Sequence, residues 1–230
     1  MSRRMKAAIL YETNQPLVIE EVTIGHPQAG EVLIKMAASG ICHSDVNVVK
    51  GDEKQSLPVI LGHEAAGYVE EVGAGVTHVK PGDRVAAGLW RSCGHCYYCG
   101  TGLPNLCATS HVLDTDTRIH DRNGMPIRRG MRVASWAEYA IIDQSQAVLV
   151  PDGTVVPIPA NRIALTEGRI IGSFLGSTRL NVAFPQLADL YAQGRLKLDE
   201  LITGIFSLEQ INEAITIVEQ GEAVRNIIVL

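Results

Sequence analysis

Hydrophobic and polar positions alternate in short runs along the first part of the chain, and glycine or proline turns separate these runs. The runs that predict strands by this alternation, or by β-branched apolar composition, are 5–10, 17–24, 31–38 and 67–72. A turn over 76–83 then leads into another strand that ends at Val85. Many short strands with this punctuation favour a barrel-like, mainly β module.

Strands predicted over 134–142 and 147–151 return to this module. The last third of the chain has a different pattern, with a helix predicted over 182–191 and a final strand over 226–230. Pro185 is compatible with that helix only near its first turn, and Gly194 follows its end. A capping box at Ser207 predicts the start of a second, amphipathic helix, which Gly221 closes.

Composition and charge exclude several classes of function. The 230 residues are 46% hydrophobic and 20% charged, with a net charge of −5, which is typical of a soluble globular protein. No basic stripe is available to neutralise phosphates, so no nucleic-acid partner is predicted. The densest basic patch, Arg128, Arg129 and Arg132, is interpreted as a solvated loop. The sequence shows neither a signal peptide nor the roughly 18 apolar residues of a membrane span, so we predict a cytoplasmic protein with reduced thiols.

Four of the five cysteines form a cluster with narrow spacing. Cys93, Cys96, Cys99 and Cys107 follow the pattern Cys-x2-Cys-x2-Cys-x7-Cys. Four thiolates that converge at about 2.3 Å complete a tetrahedral zinc site, and such a closed site stabilises structure rather than catalyses. The alternatives are disulfides, which a reducing compartment disfavours, simple burial, and an iron–sulfur cluster. The spacing therefore predicts a structural zinc lobe.

Five motifs together resemble the medium-chain, zinc-dependent alcohol dehydrogenases. These are GICHSD at 40–45, GHEAAG at 62–67, VGAGV at 72–76, PGDRV at 81–85 and the cysteine lobe at 93–107. The resemblance implies a GroES-like catalytic domain. The predicted fold class is mainly β with some α: a GroES-like partial β-barrel with a structural-zinc lobe and a C-terminal return of helix and strand.

The resemblance also implies a second, catalytic zinc. In this family the residues that match Cys42 and His63 are ligands of that zinc, and Glu64 is close enough to be a further ligand or to support the others. The hydroxyl that matches Ser44 relays the alcohol proton. The acid that matches Asp45 orients the zinc-bound histidine. Thiolate and imidazole ligands leave such an ion Lewis-acidic toward an alcohol or aldehyde substrate.

The resemblance assigns four further residues, and one ligand is missing. His43 matches the family position that contacts the cofactor pyrophosphate, a role interpreted as vestigial here. Leu89, Trp90 and Trp136 match positions that line the substrate pocket, with ordinary core packing as the alternative. The family supplies a third protein ligand, a cysteine, but every cysteine of this chain is already assigned.

No stretch of the sequence predicts the dinucleotide-binding domain. Such a domain needs several βαβ units and a glycine-rich turn that opens a helix, and neither is apparent. We therefore predict a GroES-like domain over 1–153 with its lobe at 93–107, a remnant of the last cofactor-domain strands over 154–177, and a C-terminal return over 178–230. The join indicates an excised or naturally deleted Rossmann domain. The apolar run from Arg169 to Phe174 is a candidate for homo-oligomer contacts.

Three functions follow from this sequence. The leading prediction is the zinc-binding catalytic domain of an alcohol dehydrogenase, which belongs to the NAD(P)-dependent family but binds no NAD(P) and catalyses little turnover alone. A second is weak hydrolysis or hydration by zinc-bound hydroxide. A third is a zinc-stabilised module that binds a partner or a second copy of itself.

Overall fold

The computed structural model describes residues 2–110, 115–116, 118–150 and 180–230, which form a mainly β structure. Its strands are β1 (Arg3–Leu10), β2 (Val18–Ile24), β3 (Glu31–Gly40), β4 (Val59–Ile60), β5 (Glu64–Val72), β6 (Arg84–Ala87), β7 (Ile119–His120), β8 (Pro126–Arg129), β9 (Tyr139–Asp143), β10 (Ala147–Leu149), β11 (Ile202–Ser207) and β12 (Arg225–Val229). Its α-helices are α1 (His43–Lys50), α2 (Tyr97–Gly100), α3 (Leu180–Ala192) and α4 (Ile211–Glu219).

A small closed barrel forms one part of the fold. Its strand order is β1, β2, β7, β8, β4, and β1 pairs antiparallel with β2 from Arg3 opposite Ile24 to Ile9 opposite Val18. The sequence predicted a partial barrel. The barrel closes because the two-residue strand β4 pairs with β1 on one side and, in parallel, with β8 on the other.

A larger sheet lies beside the barrel and carries most of the sequence motifs named above. Its order is β10, β6, β5, β3, β12, β11, and β9 pairs with β3 away from that path. Strand β3 is the longest and connects β5, β9 and β12 through antiparallel ladders. Because β12 joins at Gly40 and β5 joins there with Glu64, the C-terminal end of the chain lies beside the GHEAAG motif.

Two groups of buried apolar side chains form the core. The larger lies between the barrel, α1 and α4, and it contains the fully buried Trp136. The smaller packs β3, β5, β6 and β9 together around Val32, Ile34 and Ile142. Helix α4 buries Ile211, Ala214 and Ile215, which is the amphipathic face that the sequence pattern predicts.

Most predicted elements are confirmed, but several differ, and the sequence did not predict α2 or the strands β4, β7, β8 and β11. The strand predicted over 134–142 covers only Tyr139–Asp143, because Ala134 has a φ of 60°, in the left-handed region that a strand excludes. Helix α1 was not predicted. Pro185 lies inside α3 rather than in its first turn, so that helix lacks one backbone hydrogen bond there. The capping box of Ser207 with Gln210 is confirmed, and Gly194 and Gly221 have positive φ after their helices.

One sequence prediction falls on a segment that the structure does not describe. The remnant predicted over 154–177, with its run from Arg169 to Phe174, lies outside the described residues. Among the helices that the structure does describe, none has the length and apolarity that crossing a membrane requires.

Candidate metal centres

The four cysteines of the lobe come together with their sulfur atoms within 4.8 Å of one another. None of them is in a disulfide, and the Sγ atoms of Cys93 and Cys99 are 4.0 Å apart. Four sulfurs at about 2.3 Å from one tetrahedral zinc are separated by roughly 3.8 Å, so the spacing fits that ion. Helix α2 brings Cys99 close to Cys96, the residue that precedes this short helix.

Backbone N–H groups and burial act differently on the thiols of this lobe. The Cys93 N–H donates to Cys107 Sγ at 3.3 Å, and the Cys96 N–H donates to Cys93 Sγ at 3.4 Å. Donors from the backbone of His95 and Cys96 lower the pKa of Cys93 to about 5, whereas burial raises the pKa of Cys99 to about 12. Since adjacent thiolates repel, the four sulfurs ionise together only around a cation.

Arg91 fixes the two ends of the lobe to each other and to the sheet. Its Nη1 donates to the carbonyl oxygen of Thr109 at 3.0 Å and to the Thr109 hydroxyl at 2.7 Å. Its Nε contacts Asp143 Oδ2, at the end of β9, at 2.6 Å. The lobe therefore begins and ends at one point on the body of the fold.

A second group of ligand-type side chains joins Cys42, His63 and Glu64, whose donor atoms also lie within 4.8 Å of one another. Cys42 is the residue before α1, and Glu64 is the first residue of β5. The antiparallel pairing of β3 with β5 places Gly40 opposite Glu64, which brings the two sequence motifs together. The structure therefore groups the three residues that sequence reasoning selected.

Asp45 connects α1 to the histidine. Its carboxylate is completely buried, Oδ1 accepts the Gly62 N–H at 3.0 Å, and Oδ2 lies 3.0 Å from His63 Nδ1. This contact leaves His63 Nε2 facing the other side, where Ser44 Oγ lies 3.5 Å away. A carboxylate on one ring nitrogen fixes the imidazole orientation and makes the other nitrogen a better ligand.

The thiol and the imidazole influence each other's protonation. Burial opposes the Cys42 thiolate, but hydrogen bonds from His63 and Ser44 lower the pKa of Cys42 below its ordinary value. Burial likewise opposes the imidazolium, but Asp45 and the Cys42 sulfur raise the pKa of His63 to about 11. A cation can replace that proton between sulfur and nitrogen, which is the exchange a metal ligand pair undergoes.

Arg225 is a member of this site that sequence reasoning missed. From the start of β12, its Nη1 contacts Glu64 Oε2 at 2.6 Å and Oε1 at 2.9 Å. Burial raises the pKa of Glu64, and the charge of Arg225 counteracts that rise in part. The ion pair holds the Glu64 carboxylate beside the thiol and the imidazole. In this position the carboxylate can serve as a further metal ligand or only as the partner of Arg225.

Two glycines permit this close packing. A side chain at Gly40 would collide with the Glu64 carboxylate. Gly62 has a φ of 92°, and a Cβ there would lie 2.5 Å from the Trp136 ring and 2.6 Å from the Ser135 hydroxyl. Only glycine meets both the conformational and the spatial requirement immediately before His63.

The remaining predicted site residues occupy different surroundings. Trp136 is completely enclosed in the core, and its Nε1 donates to the Gly40 carbonyl oxygen at 3.4 Å. Trp90 is half-buried beneath the guanidinium of Arg132, which lies 3.9 Å from the ring centre, and Leu89 is also half-buried. His43 is exposed. The role of these residues toward a substrate or cofactor stays a prediction.

Comparison with known proteins places this arrangement in a family. Residues 28–152 match the family model described as the alcohol dehydrogenase GroES-like domain. The chain is 40% identical over 155 residues to the NDMA-dependent alcohol dehydrogenase of Amycolatopsis methanolica, an alignment that covers 65% of this chain and 42% of that protein. It is 42% identical over 171 residues to an alcohol dehydrogenase of Moraxella sp. (strain TAE123), over 71% of this chain and 46% of that protein. The chain thus spans less than half the length of these relatives.

Solved structures give the same result at the level of fold. An alcohol dehydrogenase zinc-binding domain protein from Burkholderia ambifaria superimposes with a TM-score of 0.88 and 21% identity, covering 100% of both chains. Benzyl alcohol dehydrogenase from Acinetobacter calcoaceticus superimposes with a TM-score of 0.83 and 18% identity, covering 99% of both. The predicted GroES-like fold is therefore confirmed. The chain belongs to the medium-chain zinc alcohol dehydrogenases, as a member with the GroES-like domain of that family.

Proposed function

We propose that this chain is a two-zinc catalytic domain of alcohol dehydrogenase lineage. The lobe of four cysteines holds a structural zinc, and Cys42 with His63 holds a second zinc that is open to an alcohol or aldehyde. The names of the relatives support that substrate class. The observation that carries the proposal is the grouping of Cys42, His63 and Glu64 beside the buried Asp45.

The donor set at the second centre fits zinc. It combines a sulfur, an imidazole nitrogen and a carboxylate oxygen, and Asp45 supplies the supporting contact that zinc-bound histidines commonly have. Hydrogen bonds from His63 and Ser44 lower the pKa of the Cys42 thiol, which favours the ligating thiolate. The Glu64 carboxylate lies between this centre and its ion pair with Arg225.

The residues around this centre define the chemistry it supports. A bound zinc supplies a Lewis acid that lowers the pKa of a coordinated hydroxyl. Asp45 keeps His63 in one orientation and tautomer. The Ser44 hydroxyl, 3.5 Å from the ligating nitrogen, is placed to accept a hydrogen bond from a substrate hydroxyl. Cys42 at the start of α1 brings the thiolate and this hydroxyl to the same side of His63.

We further propose that the chain alone transfers hydride poorly. Orientation of a nicotinamide against the substrate contributes much of the rate in such enzymes. The described residues contain two sheets built largely from antiparallel pairs and no series of βαβ units that would hold a dinucleotide. The lengths of the relatives support this proposal, because more than half of each lies outside the alignment.

Metal content per chain tests the two-zinc proposal directly. The protein is purified without added metal and analysed by mass spectrometry of the elements. We expect two zinc ions per chain, one in Cys42→Ala, and one in Cys96→Ala if that variant stays folded. The same zinc content in the original chain and in Cys42→Ala would refute the second centre. Iron in place of zinc would identify the lobe as a cluster site.

A further inference from the structure

A basic pocket is present whose lining contains no residue of either metal centre. Its volume is about 260 Å³. One wall consists of residues 53–56, which follow α1 in the chain. The other wall is formed by Arg128, Arg129, Met131 and Arg132. The two walls touch where Gln55 Nε2 lies 3.8 Å from Met131 Sδ.

Positive charge dominates the lining. Four of the lining side chains are cationic, and Glu53 is the single carboxylate among them. Arg129 is buried and contacts Asp116 Oδ2 at 2.6 Å, which neutralises its charge. Arg128 donates to the neutral carbonyl oxygen of Thr115 at 3.4 Å. Within the described part of the chain, neither Lys54 nor Arg128 forms a salt bridge, so both charges are available to a ligand.

The arginine wall is held in a costly backbone conformation. Met131, Arg132 and Ala134 have φ values of 47°, 60° and 60°, in the left-handed region that residues with a Cβ seldom adopt. The Gln146 amide donates to the Arg132 carbonyl oxygen at 3.4 Å, and the Arg132 guanidinium lies over Trp90. A Cβ at Gly130 would lie 2.7 Å from the Ile60 carbonyl oxygen, so the loop is packed directly on β4. Strained, well-supported loops of this kind are concentrated at binding sites.

We infer that this pocket binds the oxyanion of a small molecule, either a phosphate or a carboxylate group. Arginine binds both groups through paired N–H donors, and lysine adds a point charge. The Gln55 amide and the Ser56 hydroxyl, which also line the pocket, supply neutral donors. Its size admits a compact anionic group rather than a large cofactor. The inference does not rest on the proposed zinc chemistry.

Calorimetric titration of the purified full chain tests the inference. Inorganic phosphate is the first probe, and citrate, which carries only carboxylates, is the second. We expect saturable binding with a Kd on the order of 1 mM, as befits a few charge-assisted contacts. Affinity for phosphate alone, for citrate alone or for both identifies the preferred oxyanion and supports the site. Absence of saturable binding of either probe overturns it.

Three variants assign the binding to the pocket. The double variant Lys54→Gln, Arg128→Gln should bind the effective probe about tenfold more weakly or worse. The matched control Arg195→Gln, Lys197→Gln removes the same two charges from exposed positions near the end of α3 and should bind like the original chain. If both double variants bind the probe equally weakly, the loss of affinity is due to the change in net charge, and the inference is overturned.

The third variant separates the pocket from the second zinc centre, because an open zinc can also bind phosphate. Cys42→Ser removes a proposed zinc ligand and leaves the pocket lining intact. Binding that persists in this variant and is lost in Lys54→Gln, Arg128→Gln supports the pocket. Binding that is lost in Cys42→Ser and retained in the pocket variant overturns it, and it would assign the anion to the metal centre. Far-ultraviolet circular dichroism checks that each variant is folded.

Discussion

The two candidate metal centres are built in opposite ways. The lobe takes its four ligands from one short stretch, and backbone N–H groups surround its sulfurs. The second centre takes its ligands from the residues at the starts of α1 and β5, and it depends on charged side chains at Asp45 and Arg225. A local site of the first kind needs little of the fold, whereas a distributed site needs the β3–β5 ladder and the C-terminal strand β12.

The largest expected difference between the centres is their contribution to stability. We expect Cys96→Ser to lower the free energy of unfolding by about 4 kcal/mol and Tm by roughly 8–16 °C, because structural zinc binding contributes directly to folding. The matched exchange Cys42→Ser should remove one zinc and change Tm by only a few degrees. Thermal unfolding with parallel zinc analysis measures both. Equal Tm losses in the two variants would show that the centres share the structural role.

The next expected effect concerns Glu64. Glu64→Gln leaves the Arg225 guanidinium, whose side chain is 10% exposed, without its carboxylate, so we expect a loss of about 3 kcal/mol. Urea unfolding measures this loss. The double variant Glu64→Gln, Arg225→Gln should regain at least half of the lost free energy of unfolding. If the double variant is no more stable than the single variant, the ion pair is not what stabilises Glu64. Zinc titration of Arg225→Gln against the double variant then shows whether Glu64 is a ligand.

Removal of the Asp45 charge should weaken only the second centre. Asp45→Asn keeps an oxygen for the Gly62 N–H but loses the anion beside His63 Nδ1. Loss of such a supporting carboxylate weakens metal binding about 10- to 100-fold. Competition with a zinc-binding dye reports the affinity, and the lobe zinc is the internal control. An unchanged second-site affinity would mean that Asp45 serves packing alone.

The smallest expected effect concerns Asp116, whose ion pairs hold the segment that follows the lobe. Burial opposes the Asp116 carboxylate, but Arg118 and Arg129 hold the pKa of Asp116 below its usual value. A lowered folded-state pKa stabilises the fold above about pH 4, and this stabilisation is lost as the pH falls through the folded-state pKa. We expect Asp116→Asn to lower the free energy of unfolding by about 2 kcal/mol at neutral pH, because a hydrogen bond to a charged group contributes about that much to stability. Urea unfolding should show a smaller difference in stability between the original chain and Asp116→Asn at pH 3 than at pH 7. An equal difference at both pH values would contradict the prediction.

The sequence predicted the lobe because its ligands are neighbours, and it predicted the strands from their alternation. Helix α1 was not predicted for three physical reasons. It spans only His43–Lys50, it contains the β-branched Val46, Val48 and Val49, and Cys42 before it offers no capping hydrogen bond. Such a helix forms because tertiary packing buries Asp45, Val46 and Val48.

Arg225 and the basic pocket needed the folded structure for a different reason. Arg225 is 161 residues away from Glu64 in the chain, and no local pattern marks that pairing. The arginines 128, 129 and 132 were visible as a patch, but their separation into a neutralised Arg129 and an available Arg128 depends on Asp116. Composition and periodicity therefore cannot predict which charged residues pair over long distances in the sequence.

The contacts of Arg91 change the entropy of assembling the lobe. Bringing together the ends of a flexible segment costs conformational freedom, a cost that normally falls on whatever ligand closes the segment. Here the hydrogen bonds from Arg91 to Thr109, with its ion pair to Asp143, already hold both ends. An incoming ion therefore needs to order only the turns between the cysteines. The lobe is in this sense a loop whose ends are closed by the fold and not by its metal ligands.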